Sequence, residues 1–365
     1  MNPSASSAAD SKPSDAEPRG PVLAADVAEM PIIRLVYRDG SGEMHLDWTV
    51  ERIPQALADP SGILWVDLES TTPQDRQDNH AGRLLREVFG FHPLAVDDAI
   101  DECNLPKVDD WGDYLTLVFH STSMERRGDV LRLHELDIFL GGNYVLTYHS
   151  GPLEFLDKER ASILRDHRDR LRRGADHLLA RLLECAVDES LKTIEQLDDR
   201  LDLIQNRVLD NPTPATLKTI FRVKRAAIRL HKIFGPQREV LNRLARDPYD
   251  QVRPENRVYF RDVYDHVVRV HDISESLRDL IAGTLETYLS VMSNRTNDIM
   301  KTLTMVTVMF MPMSFLTGFF GMNFFAEPLA LNSPMPRLAL FLGTIAVMAL
   351  SPVAMWTYAR LKKWI

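Results

Sequence analysis

A repeating series of polar and small residues runs through the C-terminal third of this 365-residue chain. Alternating steps of four and three residues connect Asp272, Ser276, Asp279, Gly283, Glu286, Ser290, Ser293, Asn297, Met300, Thr304, Thr307, Met311, Ser314, Gly318 and Gly321. A 3.5-residue repeat places its members on one face of a supercoiled helix. This polar series carries carboxylates, hydroxyls, one amide, glycines and methionines, where a coiled-coil seam would carry Leu, Ile or Val. Such a face suits the wall of a narrow pore for a hydrated cation, with Glu286 near its inner mouth.

The polar series also has plainer interpretations. Its first half is equally typical of a solvated helix face, and hydroxyl residues within a membrane also serve close helix packing. Met300 and Met311 are more typical of core packing than of ion binding, because a thioether is a poor ligand for a hard cation. With Leu303 beside them, we expect these two methionines to form a hydrophobic constriction that gates by excluding water.

Two uncharged segments lie near the C-terminus. Residues 302–326 and 338–359 contain no charged residue, and each is long enough to cross a bilayer as a helix, which takes about 20 apolar residues. Basic residues precede the first segment at Arg295 and Lys301 and follow the second in the 360–365 tail. The positive-inside rule therefore predicts a two-span cell-membrane protein with both termini cytoplasmic and an external loop at 324–337.

Composition excludes several classes of function. Lys and Arg number 43 against 52 Asp and Glu, a net charge of −9, so there is no basic footprint for nucleic acid. The sequence lacks GxxxxGK[ST], HExxH and GxSxG motifs, so we expect no enzyme activity and no organic cofactor. A membrane-anchored scaffold or enzyme is the alternative from another class. Its candidate carboxylates would be Asp97, Asp98, Asp101 and Glu102.

The rest of the chain must position these groups. Residues 1–30 predict a disordered tail, and residues 31–151 a cytoplasmic α/β domain. The predicted strands of that domain are 32–37, 63–67, 114–120, 131–140 and 144–149, and its predicted helices are 50–58, 73–89 and 93–100. Residues 152–250 predict an antiparallel hairpin of two long helices, 153–209 and 216–246.

Residues 251–323 predict a stalk helix that continues without a break as the first span. A helix of about 66 residues is about 100 Å long. Such a rod is not stable by itself in a monomer, so we expect a bundle built from several subunits.

Five segments carry a resemblance to one known family. SNRTNDIMKTLT precedes the first span, MPMSFLTGFFGMNF lies within and after it, and LKKWI ends the chain. Two cytoplasmic segments join them, FGFHPLAVDDAIDECNLPKVDDWGDYL at 89–115 and YFRDVYDHVVRV at 259–270. Over about residues 31–365 the chain resembles the CorA family of divalent-cation channels and transporters.

The resemblance implies an α+β membrane protein that assembles in the lipid bilayer as a homopentameric funnel. Gly321, Met322 and Asn323 would form its outer selectivity filter, where the Asn323 carbonyl faces a hydrated ion. Asp98 and Asp262 match an intersubunit acidic site at which intracellular Mg²⁺ closes the channel. The matching pore-lining positions are Asn297, Met300, Leu303, Met311, Ser314 and Gly318, beside Thr304 and Thr307 of the polar series.

The transported ion is expected to be Mg²⁺, entering down the membrane potential, with Co²⁺ and Ni²⁺ as further substrates. One branch of the family handles zinc, so a Zn²⁺ transporter is the alternative within the family. Zinc prefers imidazole and thiolate ligands. The chain contains neither His nor Cys after His271, which favours Mg²⁺.

Overall fold

The computed structural model describes residues 31–46, 48–70, 80–103, 105–125, 130–165, 170–322 and 334–362. Predictions on the 1–30 tail, the start of the 73–89 helix, Asn323, most of the 324–337 loop and the last basic residue, Lys363, lie outside the described residues. The chain divides into two compact units. The first comprises Met1–Asp199 with Arg222–Arg278, and the second Arg200–Phe221 with Asp279–Ile365.

The first unit is built on a seven-stranded mixed sheet in the order β2-β1-β3-β7-β6-β5-β4. Neighbouring strands are antiparallel except β3 and β7, which run parallel. The strands are β1 Ile32–Arg38, β2 Met44–His45, β3 Ile63–Ser70, β4 Lys107–Asp110, β5 Leu115–Met124, β6 Leu131–Leu140 and β7 Tyr144–Ser150. All five predicted strands are present, because runs rich in β-branched and aromatic residues suit a pleated, buried surface.

Short helices cover one face of this sheet. They are α1 Ile53–Leu57, preceded by a 3-10 turn at Val50–Arg52, then α2 His80–Glu87 and α3 Pro93–Ile100. Their apolar side chains join those of the sheet in one core, which includes Phe91, Val96 and Phe139. Helix α3 begins where predicted, because Pro93 follows the cap residue His92, whose Nδ1 accepts a hydrogen bond from the Leu94 amide. This face therefore fixes α3 and the acidic residues it carries.

Helices α4 Glu154–Arg165, α5 Ala175–Asp210 and α6 Pro214–Arg246 follow the sheet. The single helix predicted over 153–209 is wrong, because it is interrupted in its first half. A 3-10 turn at Arg170–Arg173 and Gly174, with a φ of 101°, separate α4 from α5. Glycine tolerates this left-handed conformation, and the turn ends helical continuity there. Helix α6 starts two residues earlier than predicted, because the Thr213 hydroxyl accepts from the Thr216 amide and Pro214 suits a first turn.

One buried carboxylate fixes the start of the longest helix. Asp176, on α5, is only 2% exposed and accepts hydrogen bonds from the Arg253 amide at 3.0 Å and the Asn256 side chain at 2.8 Å. The Arg253 guanidinium also contacts it. A 3-10 turn at Pro254–Asn256 then leads into α7, so α7 begins from an anchored position.

Helix α7 spans Arg257–Gly321 as a single 65-residue helix, as predicted, and Pro312 lies within it. Helix α8 spans Pro334–Leu361. By length and composition, Pro254–Phe319 and Phe341–Leu361 each contain a stretch apolar enough to cross a membrane, and none of the residues in either stretch is buried. Within the second unit, Gln205 donates to the Thr284 hydroxyl at 3.1 Å and the Tyr288 hydroxyl donates to the Thr213 carbonyl at 3.3 Å. These bonds tie the turn between α5 and α6 to α7.

A candidate cation pathway and a candidate acidic regulatory site

Two opposite faces of α7 are distinguished by burial. The buried side chains recur at alternating steps of three and four residues: Phe260, Val263, Val267, Val270, Ser274, Leu277, Ile281, Thr284 and Tyr288. We call this set the buried seam. The polar series is displaced from it by two residues at every repeat, which is about 200° around a helix. The seam packs inward, and the polar series faces away from it.

Every member of the polar series is exposed along α7, from Asp272 to Gly321. In the second half of the helix, the partly buried residues all lie on the side away from the series: Val291, Met292, Met305, Met309, Pro312, Met313 and Leu316. The sequence-derived face therefore exists as one continuous exposed surface. The exposed series continues from the charged part of α7 into its uncharged part.

Two hydroxyl groups of this surface are oriented by the helix itself. Thr307 donates its hydroxyl hydrogen to the Leu303 carbonyl at 2.9 Å, and Ser276 donates to the Asp272 carbonyl at 3.0 Å. A hydroxyl oxygen that has donated its hydrogen keeps acceptor lone pairs. The surface therefore offers acceptor oxygens to water or to a hydrated cation.

The predicted apolar constriction also lies on the exposed surface. Met300 is 54% exposed, Leu303 58% and Met311 70%. More than half of each side chain is exposed, as a constriction formed with equivalent residues of other copies would require.

A cleft of about 1240 Å³ opens between α7 and α8 in the second unit. Asn297, Met300 and Thr304 line it from α7, and Met355 and Tyr358 from α8. One edge of the polar series thus borders this cleft. At the other end of the series, Gly321 and Met322 are exposed, while Asn323 lies beyond the described residues.

The two predicted regulatory acids occupy separate surface positions. Asp98 lies on α3 with its side chain 45% exposed, and Asp262 lies exposed on α7. Within the described part of the chain, Asp262 makes no hydrogen bond or ion pair, and nothing joins it to Asp98. The structure does not bring the two carboxylates together within one chain.

Sequence analysis missed the partner of Asp98. The Lys107 ammonium lies 2.6 Å from Asp98 Oδ2 and 3.2 Å from Asp109 Oδ2. Burial lowers the pKa of Lys107, but the hydrogen bonds to Asp98 and Asp109 prevail and raise it, so the ammonium stays charged. The alternation of Lys107 and Asp109 on β4 was the available signal, because residues two apart on a strand share a face.

Three further acidic side chains lie close to this ion pair. Glu135 accepts from the Cys103 amide at 2.7 Å and lies 3.3 Å from His120 Nε2, and Glu102 accepts from Ser150 at 2.9 Å. Asp137, also on β6, is 4% exposed and accepts no hydrogen bond from a described residue. Burial, reinforced by Glu135, Glu102 and Asp98, raises the pKa of Asp137 well above its usual range, and Lys107 opposes that shift. Asp97 instead pairs with Arg86.

The sequence matches the family described as CorA-like Mg²⁺ transporter protein over residues 60–361. The chain belongs to the CorA family. Among its relatives is the cobalt/magnesium transport protein CorA of Thermotoga maritima, 34% identical over 282 residues, or 76% of this chain and 78% of the relative. The putative metal ion transporter YfjQ of Bacillus subtilis is 30% identical over 275 residues, or 75% of this chain and 83% of the relative.

Solved structures support the fold of this CorA-family chain. The complete structure of the CorA magnesium transporter from Methanocaldococcus jannaschii covers 91% of this chain, and 98% of that structure is matched, with a TM-score of 0.74 and 23% identity. This match confirms the predicted fold class of a soluble α/β domain, a long helix and two C-terminal apolar helices. The zinc transport protein ZntB of Photorhabdus laumondii is 27% identical, over only 40% of this chain and 45% of the relative.

Proposed function

We propose that this protein transports Mg²⁺, and also Co²⁺, across a membrane through a pore lined by the polar series of α7. The observation that carries the proposal is the continuous exposure of that series, through the uncharged part of the helix, in a member of the CorA family. Polar side chains at membrane depth are costly unless they face a water-filled cavity or a bundle interior. A shared aqueous axis gives them such an environment.

One copy of α7 supplies only one wall of a pore, so the proposal requires several copies. We place the polar series toward the axis of a homo-oligomer, a pentamer, and the apolar sides of α7 and α8 toward lipid and toward each other. Thr304, Thr307 and Ser314 would line the pore within the membrane, with Gly318 near its outer end. Met300, Leu303 and Met311 would close it by excluding water. Asn297 and Glu286 would lie toward the cytoplasmic mouth.

The outer filter is assigned to Gly321, Met322 and Asn323. Mg²⁺ releases its water reluctantly, so a neutral side-chain carbonyl from Asn323 would hold the hydrated ion without stripping it. A ring of carboxylates there would bind a dication more tightly and slow its release. With both termini cytoplasmic, as basic flanking residues predict, influx of a dication gains about 4.6 kcal/mol per 100 mV of membrane potential.

Regulation is assigned to Asp98 of one subunit and Asp262 of its neighbour. Both carboxylates are at the surface, and two such groups brought together across an interface repel each other unless a cation lies between them. Intracellular Mg²⁺ bound there would hold the subunits together and the pore closed. Loss of the ion would release the interface and open the pore.

Zinc is the competing substrate within the family, since ZntB is among the relatives. The pathway from Asp272 to Asn323 contains no imidazole or thiolate, the ligands that zinc prefers. Hard oxygen ligands suit Mg²⁺ instead, so the composition of the pathway favours Mg²⁺.

Ion uptake into liposomes containing the full-length protein tests the function. Mg²⁺, Co²⁺ and Zn²⁺ are compared with an ion-sensitive dye inside. Mg²⁺ and Co²⁺ should enter with the applied potential, and Asn323→Ala should abolish selective Mg²⁺ uptake. Asn332→Ala, a control in the 324–337 loop outside the filter tripeptide, should leave it intact. Unchanged Mg²⁺ uptake in Asn323→Ala would refute the filter assignment, and Zn²⁺ uptake exceeding Mg²⁺ uptake would favour the zinc alternative.

A further inference from the structure

Lys107 is hydrogen-bonded to Asp98, the carboxylate to which regulation by Mg²⁺ has been assigned. Its ammonium lies 2.6 Å from Asp98 Oδ2, a distance typical of a strong charge-assisted hydrogen bond. The second partner, Asp109, lies at 3.2 Å and belongs to the same short strand as Lys107. The lysine therefore stands between two carboxylates and contacts both.

The charges around Lys107 come from three elements. Asp98 is on α3 and Glu102 follows that helix, Asp109 is on β4, and Glu135 and Asp137 are on β6. Glu102, Glu135 and Asp98 all disfavour the charged form of Asp137, whereas Lys107 favours it. Lys107 thus supplies positive charge to a region of concentrated negative charge, which is the role a bound dication would otherwise fill.

We propose that Lys107 is a tethered competitor of the regulatory cation at Asp98 and thereby sets the Mg²⁺ concentration at which the pore closes. This inference rests on the proposed function, in which Asp98 takes part in binding regulatory Mg²⁺. A dication approaching Asp98 meets both an occupied oxygen and a repelling ammonium. Lys107 must then leave Asp98 before the ion can bind.

Asp109 offers Lys107 an alternative ion-pair partner. A lysine side chain is a flexible four-carbon stem that carries a point charge, so it can move from one carboxylate to the other without moving the backbone. Lys107 would contact Asp98 when the ion is absent and only Asp109 when the ion is bound. The exchange keeps the ammonium paired in both states, which limits the cost of displacing it and keeps the site responsive.

Closure by Mg²⁺ in liposomes containing the full-length protein tests this role. Lys107→Met should lower the Mg²⁺ concentration for half-maximal closure by about two- to tenfold, the range expected from one partly exposed ion pair. Lys107→Arg should preserve the wild-type value, because it keeps the charge. The control is Lys158→Met, which removes an exposed lysine paired with Glu154 on α4 and should also leave closure unchanged.

Asp109→Asn gives a second test with the opposite sign. Without its alternative partner, Lys107 should bind Asp98 more firmly, so closure should require about two- to fivefold more Mg²⁺. In a Lys107→Met background, Asp109→Asn should have little further effect. An unchanged or raised Mg²⁺ requirement in Lys107→Met would overturn the inference, since it would mean that the lysine is neutral or positions Asp98 for the ion.

Asp98→Asn separates this inference from the proposed function. If Asp98→Asn leaves Mg²⁺ closure at the wild-type concentration, the regulatory assignment of Asp98 fails, and the competitor role fails with it. If Asp98→Asn weakens closure but Lys107→Met does not strengthen it, only the competitor role fails. Protection of the detergent-solubilised full-length protein from a protease by added Mg²⁺ reports the same shifts without requiring transport.

Discussion

The two compact units differ in the burial of their polar side chains. In the first unit, two carboxylates are buried and held by several partners: Asp67 contacts His149, Thr147 and Arg160, and Asp176 contacts Arg253 and Asn256. In the second unit, the members of the polar series from Asp279 onward are exposed, and so is every α7 residue from 293 to 304. The contrast separates polar groups that the chain pairs internally from polar groups that it leaves exposed.

The largest expected difference is in stability. Phe260 is fully buried at the start of the buried seam. Phe260→Ala should lower the free energy of unfolding by about 3–5 kcal/mol, because the truncation leaves a cavity. Leu303→Ala, at a site 58% exposed, should cost less than about 0.5 kcal/mol but should increase ion leak through the closed pore. Thermal unfolding in detergent measures the first effect and liposome flux the second. Equal destabilisation by both variants would contradict the contrast between the units.

A charge placed on the outward face should act on flux instead. Asn297→Lys puts an ammonium on the polar series, where it should repel dications and reduce Mg²⁺ uptake at least about tenfold. Ile299→Lys is the control, because it introduces the same charge at an exposed site two residues away, which is about 200° around the helix and off the series. It should leave uptake within about twofold of wild type. If the two variants lose uptake equally, the polar series does not define the pathway.

The smallest effect concerns Asp137, a buried acid without a described hydrogen-bond partner. Its pKa is raised on folding, so the folded state binds this proton more tightly than the unfolded chain does. The contribution of Asp137 to folding stability is therefore fully present below pH 3.8, the ordinary pKa of an aspartate. It is lost as the pH rises from there through the raised pKa of the folded state. Asp137→Asn should remove that loss and stabilise the protein by about 1–2 kcal/mol at pH 8.

The stabilising effect of Asp137→Asn should shrink as the pH is lowered toward 4, when the wild-type acid becomes protonated. Thermal unfolding of both proteins across that range measures it. Asp113→Asn, at an exposed carboxylate of the same unit, serves as the comparison for a simple change of net charge. A gain that stays constant with pH would show that Asp137 is not the titrating group.

The sequence pattern predicted the bounds of strands and helices correctly where the hydrophobic periodicity was strong. Strand β6 and helix α3 have the predicted bounds, and α7 is continuous through Pro312 as expected. The short strands β2 and β4 were missed, because two residues carry no period and the Asp-rich β4 has a low strand propensity. The break before Gly174 was missed because a polar helical pattern does not reveal a left-handed turn.

The candidate sites divide in a similar way. The exposed face from Asp272 to Gly321 follows from a 3.5-residue repeat and could be predicted from the sequence. The contact between Lys107 and Asp98 could not, because it depends on how β4 lies beside α3. Ser274 and Thr284 belong to the buried seam, which polarity alone would not indicate. The roles of Asn323, Asp98 and Asp262 stay predictions.

The anchoring of α7 at Asp176 has a mechanical consequence. The first backbone amides of a helix have no partner within it, so helix ends fray. Bonds from the Arg253 amide and the Asn256 side chain to one carboxylate hold the residues just before Arg257 in place. They therefore oppose fraying at the cytoplasm-predicted end of the 65-residue helix.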